Sequence, residues 1–449
     1  MVEQAFKLKT RNENFEVNFN KLDESQRAAV EADGANVVIR AAAGSGKTST
    51  LITAIAAYRY ERLNDRICAI TYTRAARAEM EERLHTMGIF DVEVTTIHVW
   101  ARNLLNDLSV KYDFKVRVLE EMDIKTILDE LVSEYKRRSG TRTKINIGIL
   151  YSYITGNKNM DITDGYRRTL NTLELHYIQY KRDNNLYDFT DYPLYLYDVM
   201  TTYDEYIRNI DALFVDEFQD VDSTQFEIFE KVLSKKKFYI GDAWQSIFQF
   251  RGADGAVFTK LEDFDLYKLD YNYRSYQEII NYACTVYERL KPAVEDDEEC
   301  YITSIDFADE SSIICNRGYG GTVSIIDPFG NGNHIKNKVN YYMNTKRQKE
   351  VFDEFIKTNP MILCRTNKQV KAIQEFGYTN VSTVHQAKGL EYDNVIVVDT
   401  TIRNMEDLNI AYVALTRARD NMLVVNWSNL EQMWLQEKSK PSGFGWNLI

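Results

Sequence analysis

The chain is expected to fold as an α/β protein with two parallel-sheet domains and a mainly helical insertion. Three observations lead there. A short β-branched run, Val37–Ile39, feeds a glycine-rich loop that ends in Gly46–Lys47–Thr48. An apolar run at 212–220, ALFVDEFQD, delivers two acids at its C-terminal end, the edge at which ligands sit in an open α/β sheet. After residue 320, further short apolar runs alternate with helical stretches and bring no second glycine-rich loop.

Composition sets the outer bounds. A chain of 449 residues has room for two to four domains of about 150 residues each. With 44% hydrophobic and 27% charged residues, each of them can bury a core. No apolar run reaches the ~18 residues of a membrane span. The opening MVEQAFKLKTRNENFEV lacks the apolar centre of a secretory leader, so a cytoplasmic protein is expected, with no membrane partner. Cys68, Cys284, Cys300, Cys315 and Cys364 are odd in number and form no C-x-x-C. That argues for reduced thiols and against a metal cluster. A net charge of -12 argues against a protein that sheathes nucleic acid non-specifically, although a single cleft could still hold a strand.

Taken in order, Leu22–Val30 reads as a helix with a cap signal at Asp23 and Ser25. Gln26 on it carries one donor and one acceptor, the pattern that matches an adenine edge. Val37–Ile39 is the first strand. Ala41–Thr48 reads A-x-x-G-x-G-K-T. Gly44 and Gly46 let successive N–H groups converge on an anion. Lys47 can reach the outer phosphates and Thr48 can offer a hydroxyl to Mg2+. A helix from about Thr48 aims its N-terminal dipole at the same place. ATP and Mg2+ are therefore the expected cofactors, with Ala43, Gly44, Ser45, Gly46, Lys47, Thr48 and Ser49 lining the phosphates.

Strands are expected at Arg66–Thr73 and Asp91–His98, with a charged helix, Arg74–Leu84, between them. From Leu104 to about Ile210 the pattern is mainly helical, with basic clusters such as Lys136–Arg137–Arg138; these are more often a solvated face than a site. At the end of the 212–220 run, Asp216 suits Mg2+. Glu217 suits orienting and deprotonating an attacking water. Lys237–Asp242 is a further strand and leads to Gln245, which could sense a terminal phosphate. Phe248 and Phe250 alternate, so one can face the core while the other offers a face to a base. The second block opens at Leu269–Ser275. It continues through a helix to about Leu290 and strands at Thr322–Ile326, Met361–Arg365, Ser382–His385, Val395–Asp399 and Met422–Asn426. A nucleotide held in a cleft between the two sheets is expected.

These residues carry a resemblance. The chain resembles the UvrD/Rep/PcrA-type superfamily 1A DNA helicases over roughly residues 22–444. The motifs stand in that family's order: LDESQ at 22–26, AAAGSGKT at 41–48, ITYTRAARAEM at 70–80, TIH at 96–98, DEFQD at 216–220, GDAWQSIFQFRGA at 241–253, NYRS at 272–275, LCRTN at 363–367, TVHQAKGLEY at 383–392 and YVALTRAR at 412–419. The resemblance implies two RecA-like domains, 1A (1–100 and 206–270) and 2A (271–449), with a helical 1B insertion at 101–205. It implies that Lys47, Thr48, Asp216, Glu217 and Gln245 serve ATP and Mg2+, that Tyr273 stacks on adenine, and that Arg274 and Arg417 reach the γ-phosphate as arginine fingers. It puts Gly389 and Glu391 near the γ-phosphate and ribose. It sets Thr73, Thr96, His98, Thr383 and His385 along a single-strand backbone, with Tyr72 and Phe250 as base-stacking candidates.

The departures bear on function. Ser49 stands where the family often has an arginine that packs on adenine. Asn367 and Thr383 are separated by 15 residues, where the family inserts a large 2B subdomain; that length holds one helix and a turn. Asp188–Phe189 and Asp191 echo the family's DFxDL element in 1B. The segment Ser428–Lys440, with Trp434, reads as helical where the family has a strand-separating hairpin. The activity implied is that of an ATP-dependent single-stranded DNA translocase and 3′–5′ helicase in replication, recombination or repair. It would act on single strands and single-strand/duplex junctions, in a bacterial or phage-infected cell. The alternative is a DNA-activated ATPase subunit of a larger phage, mobile-element or defence complex, with a protein partner or loader and little unwinding of its own. A small-molecule kinase is a third reading, disfavoured by the pairing of Arg274 with Arg417.

Overall fold

The computed structural model describes residues 22–155, 160, 162–247, 257, 260, 261, 263–295, 313–326, 339–342, 345–399, 402 and 404–426. Phe248, Phe250, Cys300, Trp434 and the expected helix at 428–440 lie outside them. In chain order the first elements are α1 (Glu24–Val30), β1 (Asn36–Ala41), α2 (Lys47–Glu61), β2 (Ile67–Thr71), α3 (Arg74–Thr86), β3 (Val92–Thr96) and α4 (Ile97–Lys111). Then come α5 (Glu121–Ser139), α6 (Ile147–Ile154), α7 (Asp164–Asp183), α8 (Tyr192–Thr202), β4 (Ala212–Val215), α9 (Ser223–Glu230) and β5 (Lys236–Gly241). The remainder is β6 (Asp265–Leu269), β7 (Tyr271–Asn272), α10 (Gln277–Glu295), β8 (Ile314–Cys315), β9 (Thr322–Ile326), β10 (Val339–Tyr342), α11 (Thr345–Ile356), β11 (Met361–Cys364), α12 (Asn367–Glu375), β12 (Val381–Thr383), β13 (Tyr392–Asp399), α13 (Met405–Leu415) and β14 (Ala418–Asn426).

The chain forms two compact units. The first comprises Met1–Ala57, Glu217–Asp220 and Tyr239–Ile449. In it β1 pairs in parallel with β6, and a six-stranded sheet runs in the order β10-β9-β14-β13-β11-β12. Every pairing in that sheet is parallel. A parallel sheet is covered on both faces, and successive side chains alternate between them. The sequence obeys this rule closely. Leu363, Val395, Val397, Met422 and Val424 belong to one core with residues of α10 and α13. Their neighbours Ile362, Cys364, Ile396, Val398, Leu423 and Val425 belong to another, with Phe352 of α11 and Ile373 of α12.

The second unit comprises Tyr58–Asp216 and Val221–Phe238. Its strands β3, β2 and β4 pair in parallel, and β2 and β4 are buried throughout, as strands covered on both faces must be. Helices α5, α6 and α7 close on a core of Ile124, Leu128, Leu150, Leu170, Leu173 and Tyr177. At its edge lies a buried ionic knot. Lys181 Nζ donates to Asp188 Oδ2 at 2.8 Å and also to Asp191. The Tyr177 hydroxyl donates to Asp188 at 3.0 Å. Burial pushes the Asp188 carboxyl up, but Lys181 and the Thr190 donors outweigh it and hold it below its usual value. Burial and Asp188 together hold Asp191 above its own.

The structure moves several expected boundaries. The strand expected to reach His98 stops at Thr96, and Ile97 opens α4. Ile97, Trp100, Ala101 and Leu105 are buried at helical spacing, which outweighs the β-branched run before them. The strand expected at 382–385 ends at Thr383, because the N–H groups of Gln386 and Ala387 both turn back to the Thr383 carbonyl. Helix α10 continues beyond Leu290 to Glu295. Strands β6 to β8 and β10 were not expected. In β6 only Leu269 is buried, so no periodicity marks it. Between β11 and β12 stand one helix, α12, and a turn at Gly377 (φ +95°), as the 15-residue spacing requires. Among the described residues no helix is long and apolar enough to cross a membrane.

Replacing Lys181 by methionine leaves the buried Asp188 carboxylate and the half-buried Asp191 carboxylate without their cation. The expected loss is roughly 3–5 kcal/mol of unfolding free energy, measured by denaturant titration. Protonating the carboxylates relieves their repulsion, so the deficit is smaller at about pH 4 than at about pH 7.

Candidate nucleotide site

The loop between β1 and α2 is shaped by what holds its carbonyls. Asn272 Nδ2 donates to the Ala43 carbonyl, the Tyr273 N–H to the Gly44 carbonyl at 2.9 Å, and Gln26 Nε2 to the Ser45 carbonyl at 2.8 Å. In a planar trans peptide the N–H points opposite to the C=O. Pinning the carbonyls of Ala43 and Ser45 therefore turns the N–H groups of Gly44 and Gly46 the other way. The first amides of α2 join them, as free helix N-termini do. Gly44 (φ +68°) and Gly46 (φ +77°) adopt left-handed backbone. A β-carbon on Gly44 would come within 2.7 Å of Asn272 Nδ2 and 2.8 Å of Arg274 Cβ. The Ser45 hydroxyl is buried and lacks a hydrogen-bond partner among the described residues. Turned-out amides and an orphaned hydroxyl fit a phosphate chain.

Lys47, the first residue of α2, lies 4.0 Å from Glu217 Oε2. Glu217 stands two residues beyond β4 and has φ +49°, which is uncommon for a residue with a side chain. Burial pushes its carboxyl up, but Lys47 and Lys388, then the Gln219 amide and Arg417, overcome that and hold it at about 2. Asp216 is buried, and its N–H donates to the Ile70 carbonyl at 2.9 Å. Gln245 is buried in the short turn after β5. Its Nε2 donates to Asp242 at 2.6 Å, and its Oε1 accepts from Arg417 Nη2 at 3.1 Å. Arg417 follows α13 and is 1% exposed. It also donates to the carbonyls of Val413 at 2.9 Å and Leu390 at 3.2 Å. Burial and the neighbouring Arg274 lower its pKa to about 9, which leaves it charged at neutral pH.

The structure thus gathers Lys47, Glu217, Gln245 and Arg417. Other expected residues are engaged elsewhere. Arg274 Nε donates to Glu391 at 2.7 Å, and its Nη1 to the Thr416 carbonyl at 3.1 Å. The Tyr273 hydroxyl donates to Asp23, and burial and Asp23 raise its pKa. Gln26 spends both ends of its amide on the protein, since its Oε1 accepts from the Asp23 N–H at 3.2 Å. Thr48 and Ser49 stand half-buried in the first turn of α2. Gly389 has φ +85° with open space where a β-carbon would stand.

The residues expected to meet a strand divide between the units. Tyr72 and Thr73 follow β2, Thr96 ends its neighbour β3 and His98 stands two residues beyond, so all four share one sheet edge. Thr73 caps α3, accepting from the Ala76 N–H at 3.1 Å; His98 is exposed and Thr96 buried. In the first unit Thr383 is fully buried and accepts from the Gln386 N–H at 3.4 Å, and His385 is half-buried beyond it. Phe250 lies outside the described residues.

Three participants were inside recognised motifs but carried no assignment: Asn272, Gln219 and Lys388. Asn272 is fully buried. Its Oδ1 accepts from the N–H groups of Arg274 and Ser275 at 2.9 and 2.7 Å, while its Nδ2 holds the loop. The signal was its place at the head of NYRS, directly before two residues with an expected role.

A phosphate loop after a parallel strand, with a carboxylate, a lysine and a buried arginine gathered beside it, defines an α/β protein of the phosphate-loop class. Residues 22–265 match the model of the UvrD/REP helicase N-terminal domain, and residues 378–425 match that of the UvrD-like helicase C-terminal domain. The chain belongs to the UvrD/REP helicase family. It is 25% identical over 458 residues to a Mycoplasma pneumoniae protein named "Probable DNA helicase", covering 91% of this chain and 83% of that protein. It is 26% identical over 383 residues to the ATP-dependent DNA helicase PcrA of Bacillus subtilis, covering 79% of this chain and 48% of that protein. With the DNA helicase II of Rickettsia typhi it shares 28% identity over 314 residues, covering 63% of this chain and 46% of that protein. The chain spans less than half the length of the last two.

Because its β-carbon would displace Asn272 and force a side chain into left-handed backbone, Gly44→Ala is expected to weaken ATP binding by roughly tenfold or more, about 1.4 kcal/mol. Titration with a fluorescent ATP analogue measures it.

Proposed function

We infer that the chain is an ATP-driven motor on single-stranded DNA, which moves with 3′–5′ polarity and opens duplex at junctions. The observation that carries this reading is the linkage of Lys47, Glu217, Gln245 and Arg417 around one phosphate loop, in a chain of this family. ATP supplies the phosphoanhydride bond, and Mg2+ is the cofactor the reading adds, with oxygen donors on Thr48 and Asp216. Lys47 and the turned-out amides bind the phosphates. Glu217, held ionised by its cations, orients the attacking water and accepts its proton. Gln245 links that centre to Arg417, and Arg417 neutralises charge on the transferring group. Arg274 joins it by exchanging Glu391 for phosphate. Tyr273 and Gln26 take the base by releasing their partners in the Asp23 network. Tyr72, Thr73, Thr96, His98, Phe250, Thr383 and His385 are the residues proposed to follow the strand. Domains 1A (1–100, 206–270), 1B (101–205) and 2A (271–449) are the division this reading uses, in the cytoplasm of a bacterial or phage-infected cell.

One observation favours a second reading. The link from β11 to β12 is one helix and a turn, in place of the family's 2B insertion. A chain without it suits a DNA-activated ATPase subunit whose partner completes the strand-separating machinery.

The test is ATP hydrolysis with and without single-stranded DNA, beside a forked duplex with a 3′ tail. Stimulation with unwinding is the expected result. Stimulation without unwinding selects the second reading, and hydrolysis indifferent to DNA overturns both. Glu217→Gln is expected to retain ATP binding and to lose roughly 10²- to 10⁴-fold in stimulated turnover.

A further inference from the structure

Lys388 lies in the turn between β12 and β13. Its ammonium donates to Asp220 Oδ2 at 2.6 Å and to the Gln245 main-chain carbonyl at 3.1 Å. The side chains are 9% and 1% exposed. The pair does not close its own hydrogen bonding, because Asp220 Oδ1 is buried without a partner among the described residues. A buried pair that leaves a lone pair unsatisfied is a poor source of stability, and an apolar pair of similar volume often serves as well or better. Stability therefore does not explain its presence.

Its connections do. Asp220 closes the turn that begins at Glu217, its N–H donating to the Glu217 carbonyl at 2.9 Å. Within that turn Gln219 donates to the Glu217 carboxylate. Gln219 also accepts from the Asp242 N–H at 2.9 Å and, through its carbonyl, from the Ser246 hydroxyl at 3.1 Å. The Glu217–Asp220 turn and the 242–246 segment are thus laced together, and Lys388 grips both from the far sheet. Arg417 takes the side chain of Gln245 while Lys388 takes its main chain. Arg417 also holds the carbonyl of Leu390, two residues beyond Lys388.

We propose that Lys388 is a positioning residue for hydrolysis: by tying Asp220 and the Gln245 carbonyl together it fixes the turn that aims Glu217. This rests on the reading of Glu217 as the group that orients the attacking water. Lys388 also adds positive charge facing the Glu217 carboxylate.

The experiment compares basal and DNA-stimulated hydrolysis in the full chain for Lys388→Met, Lys388→Arg and the double variant Lys388→Met/Asp220→Leu, with thermal midpoints alongside. For Lys388→Met, kcat is expected to fall by roughly tenfold to a hundredfold, with the KM for ATP within about threefold of wild type. Lys388→Arg, which keeps a donor at the same place, is expected to recover part of the loss. The double variant is expected to regain the wild-type midpoint while keeping the kcat defect. A double variant whose kcat returns to within about twofold of wild type overturns the proposal, because the pair is then structural only. So does a loss carried by KM, or a Lys388→Arg as slow as Lys388→Met with an unchanged midpoint. If either methionine variant fails to fold, the arginine variant decides through the same kcat and KM comparison. A wild-type chain whose hydrolysis ignores DNA overturns the motor reading but leaves this one to be read on basal kcat.

Discussion

A guanidinium buried to 1% exposure among neutral oxygens is the constraint around which the site is built. The Arg417 hydrogen bonds go to the carbonyls of Val413 and Leu390, to the Thr416 hydroxyl and to the Gln245 amide. Neutral acceptors satisfy its donors without cancelling its charge. Burial lowers its pKa but leaves it protonated at neutral pH. A charge in that position is costly on its own, and its most favourable relief is an anion. Glu217 supplies part of it from nearby. A terminal phosphate would supply the rest, which is the electrostatic condition the proposed role requires.

The same logic runs through the loop. A phosphate cradle needs amides facing inward, and a flexible loop would lose conformational freedom on binding to provide them. Here Asn272, the Tyr273 amide and Gln26 fix the loop carbonyls from outside. Two of these come from the NYRS segment, which continues into α10 and is paired through β7 with β8. The shape of the phosphate loop thus depends on a segment 229 residues away in the chain. Bringing that segment into place is a long-range folding event, and the loop acquires its final form only when it has occurred.

Much of this was legible in the sequence, and the reasons differ by element. The core strands were visible because a parallel sheet buried on both faces demands uninterrupted β-branched runs, as in Val395–Val398. The phosphate loop was visible because only glycine tolerates its backbone. Strand β6 was hidden because nearly all of it is solvated, and nothing but its main chain makes it a strand. The start of α4 was hidden because the β-branched residues of Val92–Thr96 run on into Ile97 without a break, and the burial period changes inside that stretch. At the site, the residues expected to touch a ligand stand out by what they can offer it: a phosphate-loop backbone, a hydroxyl or amide, a charge or an aromatic face. Asn272, Gln219 and Lys388 act on other protein groups, and each has a partner distant in sequence: Ala43, Asp242 and Asp220. No local pattern announces such a role.

The backbone of Glu217 carries one more consequence. A residue with a side chain in left-handed conformation costs on the order of 1–3 kcal/mol and persists only where the surroundings over-determine it. Here the Gln219 contact and the closing Asp220 turn do so. The chain therefore carries a standing deficit at the carboxylate proposed to orient the attacking water. Selection for thermal robustness alone would favour glycine at this position, since relaxing the backbone would stabilise the fold. Under the proposed role, glycine at position 217 would relax the backbone and remove the carboxylate together, so durability gained and turnover lost would come from one substitution.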